Sequence, residues 1–182
     1  MVLEFLADGF EEMEAMVPCD YLRRCGVDVR LVGVTGRTVT GSHGVPFVCD
    51  QTLEEISLEQ LEGIILPGGM PGTTNLYDSE QVRRIIGVAA ENNLLVSAIC
   101  AAPSILGKMG LLRGKKAICF PGFEATLLDA CVISRPVVVD GNFITSKGAG
   151  TALEFAYELA VFLRGKDKAQ EIGEQIQWNR KF

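Results

Sequence analysis

The sequence predicts a doubly wound α/β domain: a mostly parallel sheet covered by helices on both faces. Three observations predict it. Short β-branched runs alternate with amphipathic stretches along the 182 residues, the pattern of successive strand–helix units. The runs GIILP and LLVSAI are almost continuously apolar, as strands buried on both faces must be. Glycines stand where the amphipathic stretches end, where a left-handed cap is needed.

The elements follow in order. Strands are expected over 2–7, 27–34, 63–67, 94–99 and 116–119, each rich in Val, Ile, Leu or Ala. A late pair over 137–140 and 143–146 reads as a hairpin around Asp140-Gly141-Asn142. Helices are expected over 11–25, 78–92, 101–109 and 151–163, with Gly26, Gly110 and Gly165 beyond three of them. Thr151 with Glu154 reads as a capping box, and Asp78 with Gln81 as a similar start. Residues 38–50 read as a small hairpin at an edge, and the polar tail 166–182 as a last short helix packed outside. No repeat, low-complexity tract or linker interrupts the chain, so one domain over 1–182 is expected.

Composition narrows the function classes. Seventeen basic against 23 acidic residues leave a net charge of −6, which argues against a nucleic-acid partner. No run approaches the roughly 18 apolar residues of a spanning helix, so no membrane partner is expected. MVLEFLADGFEEMEAM lacks the basic start of a signal peptide. Six cysteines face a single histidine, His43. With no C-x2-C pair, the usual zinc frameworks are not available, and a reduced cytoplasmic protein with free thiols, no metal and no cofactor is expected. Neither a P-loop nor a strand-linked G-x-G-x-x-G is present, which argues against a nucleotide- or flavin-binding module.

Sites in such sheets form beyond the carboxyl ends of the strands. Three of those ends carry unusual residues: Ala7-Asp8-Gly9 leading into GFEEMEA, the turn LPGGMPGTTNL, and Cys100 followed by Ala101-Ala102-Pro103. Cys100 sits at a strand-to-helix elbow, where a helix N-terminus is expected to pull a thiol pKa down from roughly 8.5 into a range of about 3.5–7.5. The alternative is a small core residue after a buried strand. Glu14 is the acid placed against it; an apolar neighbourhood would keep it protonated and able to donate to a thiolate. Glu11 and Glu12 read as helix-start acids favoured by the dipole. Gly68 and Gly69 offer oxyanion-type N–H donors. Cys19, Cys25, Cys49, Cys119 and Cys131 read as core or surface filler.

Together GFEEMEA, PCDYLRRCG, LPGGMPGTTNL, SAICAAP and ITSKGAGTALEFA resemble the DJ/ThiJ/PfpI family, most closely the DJ branch with its bacterial ThiJ/YajL-like members. The resemblance implies a flavodoxin-like fold and a DJ/PfpI-type, class I glutamine amidotransferase-like domain. It also implies a homodimer with Met13 and Arg24 near the contact. It makes Cys100 the redox-sensitive nucleophile, Glu14 its partner, and Gly69 and Ala101 the backbone donors. It implies glutathione-independent glyoxalase or deglycase activity on a small carbonyl substrate or a glycated thiol or amine, with oxidative-stress protection and chaperone behaviour. The thiamine-biosynthesis and protease labels of the wider family fit less well, the protease label because Ala101 stands where the protease-like members carry histidine. Phe120 stands where animal members carry another. His43 takes the place of a loop arginine, an accessory position. Two classes of function are therefore expected: a Cys100–Glu14 enzyme, or a non-catalytic redox sensor and holdase that works by oxidation of Cys100.

Overall fold

A computed structural model describes residues 1–179. Strand β1 (Val2–Leu6) leads to helix α1 (Glu12–Arg24) and strand β2 (Val29–Gly33). The short strands β3 (Thr38–Thr40), β4 (Pro46–Val48) and β5 (Gln51–Thr52) come next. They are followed by β6 (Gly63–Leu66), the helices α2 (Gly72–Asp78) and α3 (Glu80–Glu91), β7 (Leu95–Ile99) and α4 (Pro103–Lys108). The chain continues through β8 (Lys116–Ala117), β9 (Cys131–Val132), β10 (Val137–Asp140) and β11 (Phe143–Ser146), then closes with α5 (Ala152–Arg164) and α6 (Lys166–Gln175).

Seven strands form the main sheet in the order β10-β11-β7-β6-β1-β2-β5. All neighbours are parallel except the β10–β11 hairpin. The fold is thus flavodoxin-like α/β, with one core on each face. Phe10, Tyr21, Leu22, Phe155 and Leu159 pack one side beneath α1 and α5. Phe5, Leu66, Leu76, Ile85 and Leu106 pack the other beneath α2, α3 and α4. Every residue of β1, β6 and β7 is buried, which explains why GIILP and LLVSAI read as almost continuous apolar runs; β1 carries Glu4 among its buried residues. The hydroxyl of Tyr21 donates to the carbonyl of Ala169 at 2.7 Å and ties α6 to α1. The tail helix is therefore present, while residues 180–182 of the expected tail lie outside the described residues.

The chain turns back on β1 here: β2 lies on one side of it and β6 on the other. Strand ends meet at one edge because the register aligns them, with Leu66 opposite Ala98 and Ser146 opposite Ile99. That edge is the switch point of an open α/β sheet.

Several local expectations are corrected. Helix 78–92 begins later, at Glu80, because the hydroxyl of Ser79 accepts from Val82 N–H at 3.3 Å and supplies the cap expected from Asp78. A further helix, α2, precedes it where a loop was expected. Thr151 stands at the start of α5 without capping it, because its hydroxyl donates to Gly148 O at 2.8 Å and pairs with Ser146 Oγ at 2.7 Å. The strand expected over 116–119 keeps only two residues and pairs with β9 outside the main sheet. The 38–50 segment is the β3–β4 hairpin.

Candidate active site

Cys100 follows the last residue of β7 and has φ of +63°. This left-handed conformation costs a residue with a β-carbon about 1–2 kcal/mol. Two long-range bonds hold it there: its N–H donates to Ser146 O at 2.9 Å, and its carbonyl accepts from Phe120 N–H at 2.7 Å. The chain is thereby turned sharply into Ala101, Ala102 and Pro103 at the start of α4. The side chain is partly open to solvent, unlike those of Cys19, Cys25, Cys49 and Cys119, which are buried; Cys131 is exposed. All six cysteines are free thiols.

Glu14 reaches the same point from β1 through the first turn of α1. Glu11 caps that turn, its carboxylate accepting from Glu14 N–H at 2.8 Å. The Glu14 carboxyl is 1% exposed. Its Oε2 accepts from Gly68 N–H at 2.9 Å, and it is also hydrogen-bonded to the Cys100 side chain and to Ala149 N–H. A β-carbon on Gly68 would lie 2.7 Å from both Cys100 Cβ and Glu14 Oε2, so glycine is what lets the pair close over the turn. Gly69 has φ of +85°. Its N–H and that of Ala101 bond the Cys100 sulfur. The two backbone donors therefore face the thiol, whereas Gly68 serves Glu14.

The electrostatics correct one expectation. Burial, then the charge of Glu14 and its hydrogen bond, push the Cys100 thiol up to about 12, while the Ala101 and Gly69 N–H groups pull the other way. A six-residue helix start does not overcome a carboxylate at hydrogen-bond range. Burial also raises Glu14 to about 7, assisted by the charge of Glu11 and opposed by the Cys100, Gly68 and Ala149 hydrogen bonds. Burial lifts Cys19 to about 12 and Cys49 and Cys119 to about 11. Cys100 is set apart by its acid partner and its access, not by its acidity.

The remaining expected residues separate into near and far. Phe120 is near: a β-carbon on Gly148 would lie 3.3 Å from its ring and 3.9 Å from Glu14 Oε1. His43 sits on the β3–β4 loop, 71% exposed, with Nδ1 2.8 Å from Glu12 Oε2 and its own N–H donated to Glu12 Oε1. Glu11, Glu12 and His43 hold one ligand atom each within 4.8 Å of one another. The cap bond to Glu14 and the His43 ion pair account for that grouping. Arg24 is far: it ends α1, about 15 Å along the axis from Glu14, and pairs with Asp20 at 2.8 Å. Met13 is 54% exposed on α1. Sequence reasoning missed Ser146, Gly148 and Ala149, although the segment ITSKGAG carried their signal, a strand ending in glycines at the shared edge.

Comparison with known proteins gives consistent matches. The model of the DJ-1/PfpI family matches residues 1–161. Protein dj-1beta of Drosophila melanogaster is 37% identical over 177 residues, covering 96% of this chain and 95% of that protein. A deglycase of Pyrococcus horikoshii is 32% identical over 149 residues, covering 80% and 89%. The structure of oxidized Toxoplasma gondii DJ-1 superposes with a TM-score of 0.94 at 32% identity, covering 98% of each chain.

Proposed function

The chain belongs to the DJ-1/PfpI family, and from that premise we propose that it is a cysteine-dependent stress-protection enzyme acting on reactive dicarbonyls or their adducts. The observation that carries this reading is the hydrogen bond between the elbow thiol of Cys100 and the buried carboxyl of Glu14. The relatives named deglycase support the substrate class.

In this mechanism Cys100 Sγ attacks the aldehyde carbon of a 2-oxoaldehyde as its proton passes to the Glu14 carboxylate. Part of the rise in the thiol pKa comes from the Glu14 charge itself, so that part disappears once the proton has crossed. Glu14 returns the proton to the new alkoxide, giving a neutral hemithioacetal. Its carboxylate then removes the hydrogen from that carbon, the electron pair forms the carbon–carbon double bond of an enediolate, and the hydroxyl proton of the hemithioacetal moves across to the neighbouring oxygen. Glu14 delivers the proton to the neighbouring carbon, leaving a 2-hydroxyacyl thioester. Water hydrolyses the thioester, restoring Cys100 and releasing the 2-hydroxy acid. One water is added in all, and no outside oxidant or reductant enters. A carboxyl titrating near 7 suits a group that must both take and give a proton at neutral pH.

Lactate formation from methylglyoxal tests the proposal. Cys100→Ser and Glu14→Gln are each expected to lower kcat by about a hundredfold or more, and equal rates in all three proteins would refute it.

A second reading is carried by the same pair. Peroxide takes the Cys100 thiolate through the sulfenate to the sulfinate, whose oxygens the protonated Glu14 would bond. The oxidized state named for the Toxoplasma relative supports it. Mass analysis after mild peroxide is expected to place two added oxygens on Cys100, and oxidation spread over the other thiols would count against it. We further take the protein to act as a homodimer in contact through α1, supported by the exposed Met13; a monomer in sedimentation at micromolar concentration would end that view.

A further inference from the structure

Beside the thiol–carboxyl pair lies a cleft of about 340 Å³ whose lining includes Phe120, Pro121, Lys147, Gly148, Ala149 and Thr151. Its size is that of a small-molecule site. The lining offers few polar groups. The Thr151 hydroxyl, the side-chain candidate for a polar anchor, is already bonded to Ser146 and Gly148, and Lys147 is exposed. Phe120 presents an aromatic ring that is 46% exposed, an apolar surface left open at the cleft wall.

The cleft connects to the chemistry through Gly148. A β-carbon there would stand 3.3 Å from the Phe120 ring and 3.9 Å from Glu14 Oε1, and so would occupy the passage between the ring and the carboxyl. The φ of Gly148 is 163°, extended backbone that any residue adopts, so its conformation does not demand glycine; the open passage is what the missing side chain provides.

Resting on the dicarbonyl reading above, we infer that this cleft is a substituent subsite, and that the substrates it selects are 2-oxoaldehydes bearing an aryl or branched alkyl group. The aldehyde carbon meets Cys100, the adjoining carbonyl lies toward Glu14, and the substituent passes over Gly148 to stack against Phe120. A methyl substituent leaves most of the cleft empty, whereas a phenyl ring covers the Phe120 face in the offset or edge-on geometry that aromatic pairs adopt.

The experiment compares phenylglyoxal with methylglyoxal in the wild type, Phe120→Ala and Gly148→Ala, each checked for folding by circular dichroism. The ratio of the two kcat/KM values is expected to be about tenfold in favour of phenylglyoxal in the wild type. It should fall at least about threefold in each variant, through removal of the ring in one and narrowing of the passage in the other. A wild-type ratio near one, or a ratio that neither variant moves, overturns the inference. A second arm does not depend on turnover: unreactive acetophenone is titrated into the wild type while the Phe120, Gly148 and Ala149 amides are followed by NMR. Shifts there without turnover of either aldehyde would uphold the subsite and remove the glyoxalase reading. No shift at those amides would overturn the subsite whatever the turnover.

Discussion

Replacing Glu14 by glutamine is expected to change how the protein's stability responds to pH. The carboxyl titrates at about 7 in the folded chain against an ordinary 4.5. The native state therefore holds this proton more tightly than the unfolded chain does. Stability is fully kept below the ordinary value, falls as pH rises through the interval, and is level above about 7. The whole loss is about 3.4 kcal/mol, of which about 2.5 kcal/mol falls between pH 5 and pH 8. Glutamine does not titrate. Its amide nitrogen faces N–H donors where a carboxylate oxygen stood, a penalty that is the same at both pH values and cancels between them. Urea unfolding of the wild type and Glu14→Gln at pH 5 and pH 8 should thus show the variant gaining about 2.5 kcal/mol on the wild type across the interval. A stability difference that stays constant to within about 0.5 kcal/mol would refute the assignment of Glu14 as a buried carboxyl titrating near neutrality.

Three further outcomes follow from particular contacts. Gly68→Ala places a methyl group 2.7 Å from Cys100 Cβ and Glu14 Oε2, so dicarbonyl turnover should fall about a hundredfold while the far-ultraviolet spectrum is retained; near-normal turnover would contradict the close-packed pair. Glu4 is fully buried in β1 with neither carboxyl oxygen hydrogen-bonded, and burial raises its pKa well above the ordinary range against the opposing charge of Arg23. Glu4→Leu should raise stability at pH 7 by about 2 kcal/mol in thermal or urea melts, and a loss of stability would show that the carboxyl is satisfied. The hydrogen bond to Glu12 raises the pKa of His43 above 6.5, so NMR titration should place its midpoint higher in the wild type than in Glu12→Gln; equal midpoints would remove the ion pair.

The sheet was legible in the sequence wherever burial is continuous. Strands 2–6, 63–66 and 95–99 announce themselves because both faces are covered, and the elbow at Cys100 follows from a strand that runs straight into Pro103. What was hidden depends on contacts between distant segments. Helix α2 hides behind Pro67, Gly68, Gly69, Pro71 and Gly72, residues that read as a turn; its first residue, Gly72, packs against the backbone of Phe10, where a β-carbon would lie 2.6 Å from the Phe10 nitrogen. The pairing of Lys116 with Cys131 has no local signature. Glu4 sits in an otherwise apolar strand, and nothing nearby in sequence signals a carboxyl without a partner. The pairing of Cys100 with Glu14 was legible from topology and resemblance. The direction of the thiol pKa was not, because the sequence shows a helix start but neither the depth of burial nor the charge held against the sulfur.

The site's donors bear on what a mutational survey would see. Gly68, Gly69, Ala101 and Ala149 act through main-chain N–H groups, which every amino acid but proline carries. Truncating side chains one at a time would therefore alter Cys100 and Glu14 and leave these backbone donors in place. Enlarging side chains would reveal them, since what Gly68 and Gly69 must supply is room and curvature. At such positions the limit on substitution is set by the space left free, because a β-carbon on Gly68 or Gly69 would lie within 2.7 Å of neighbouring atoms.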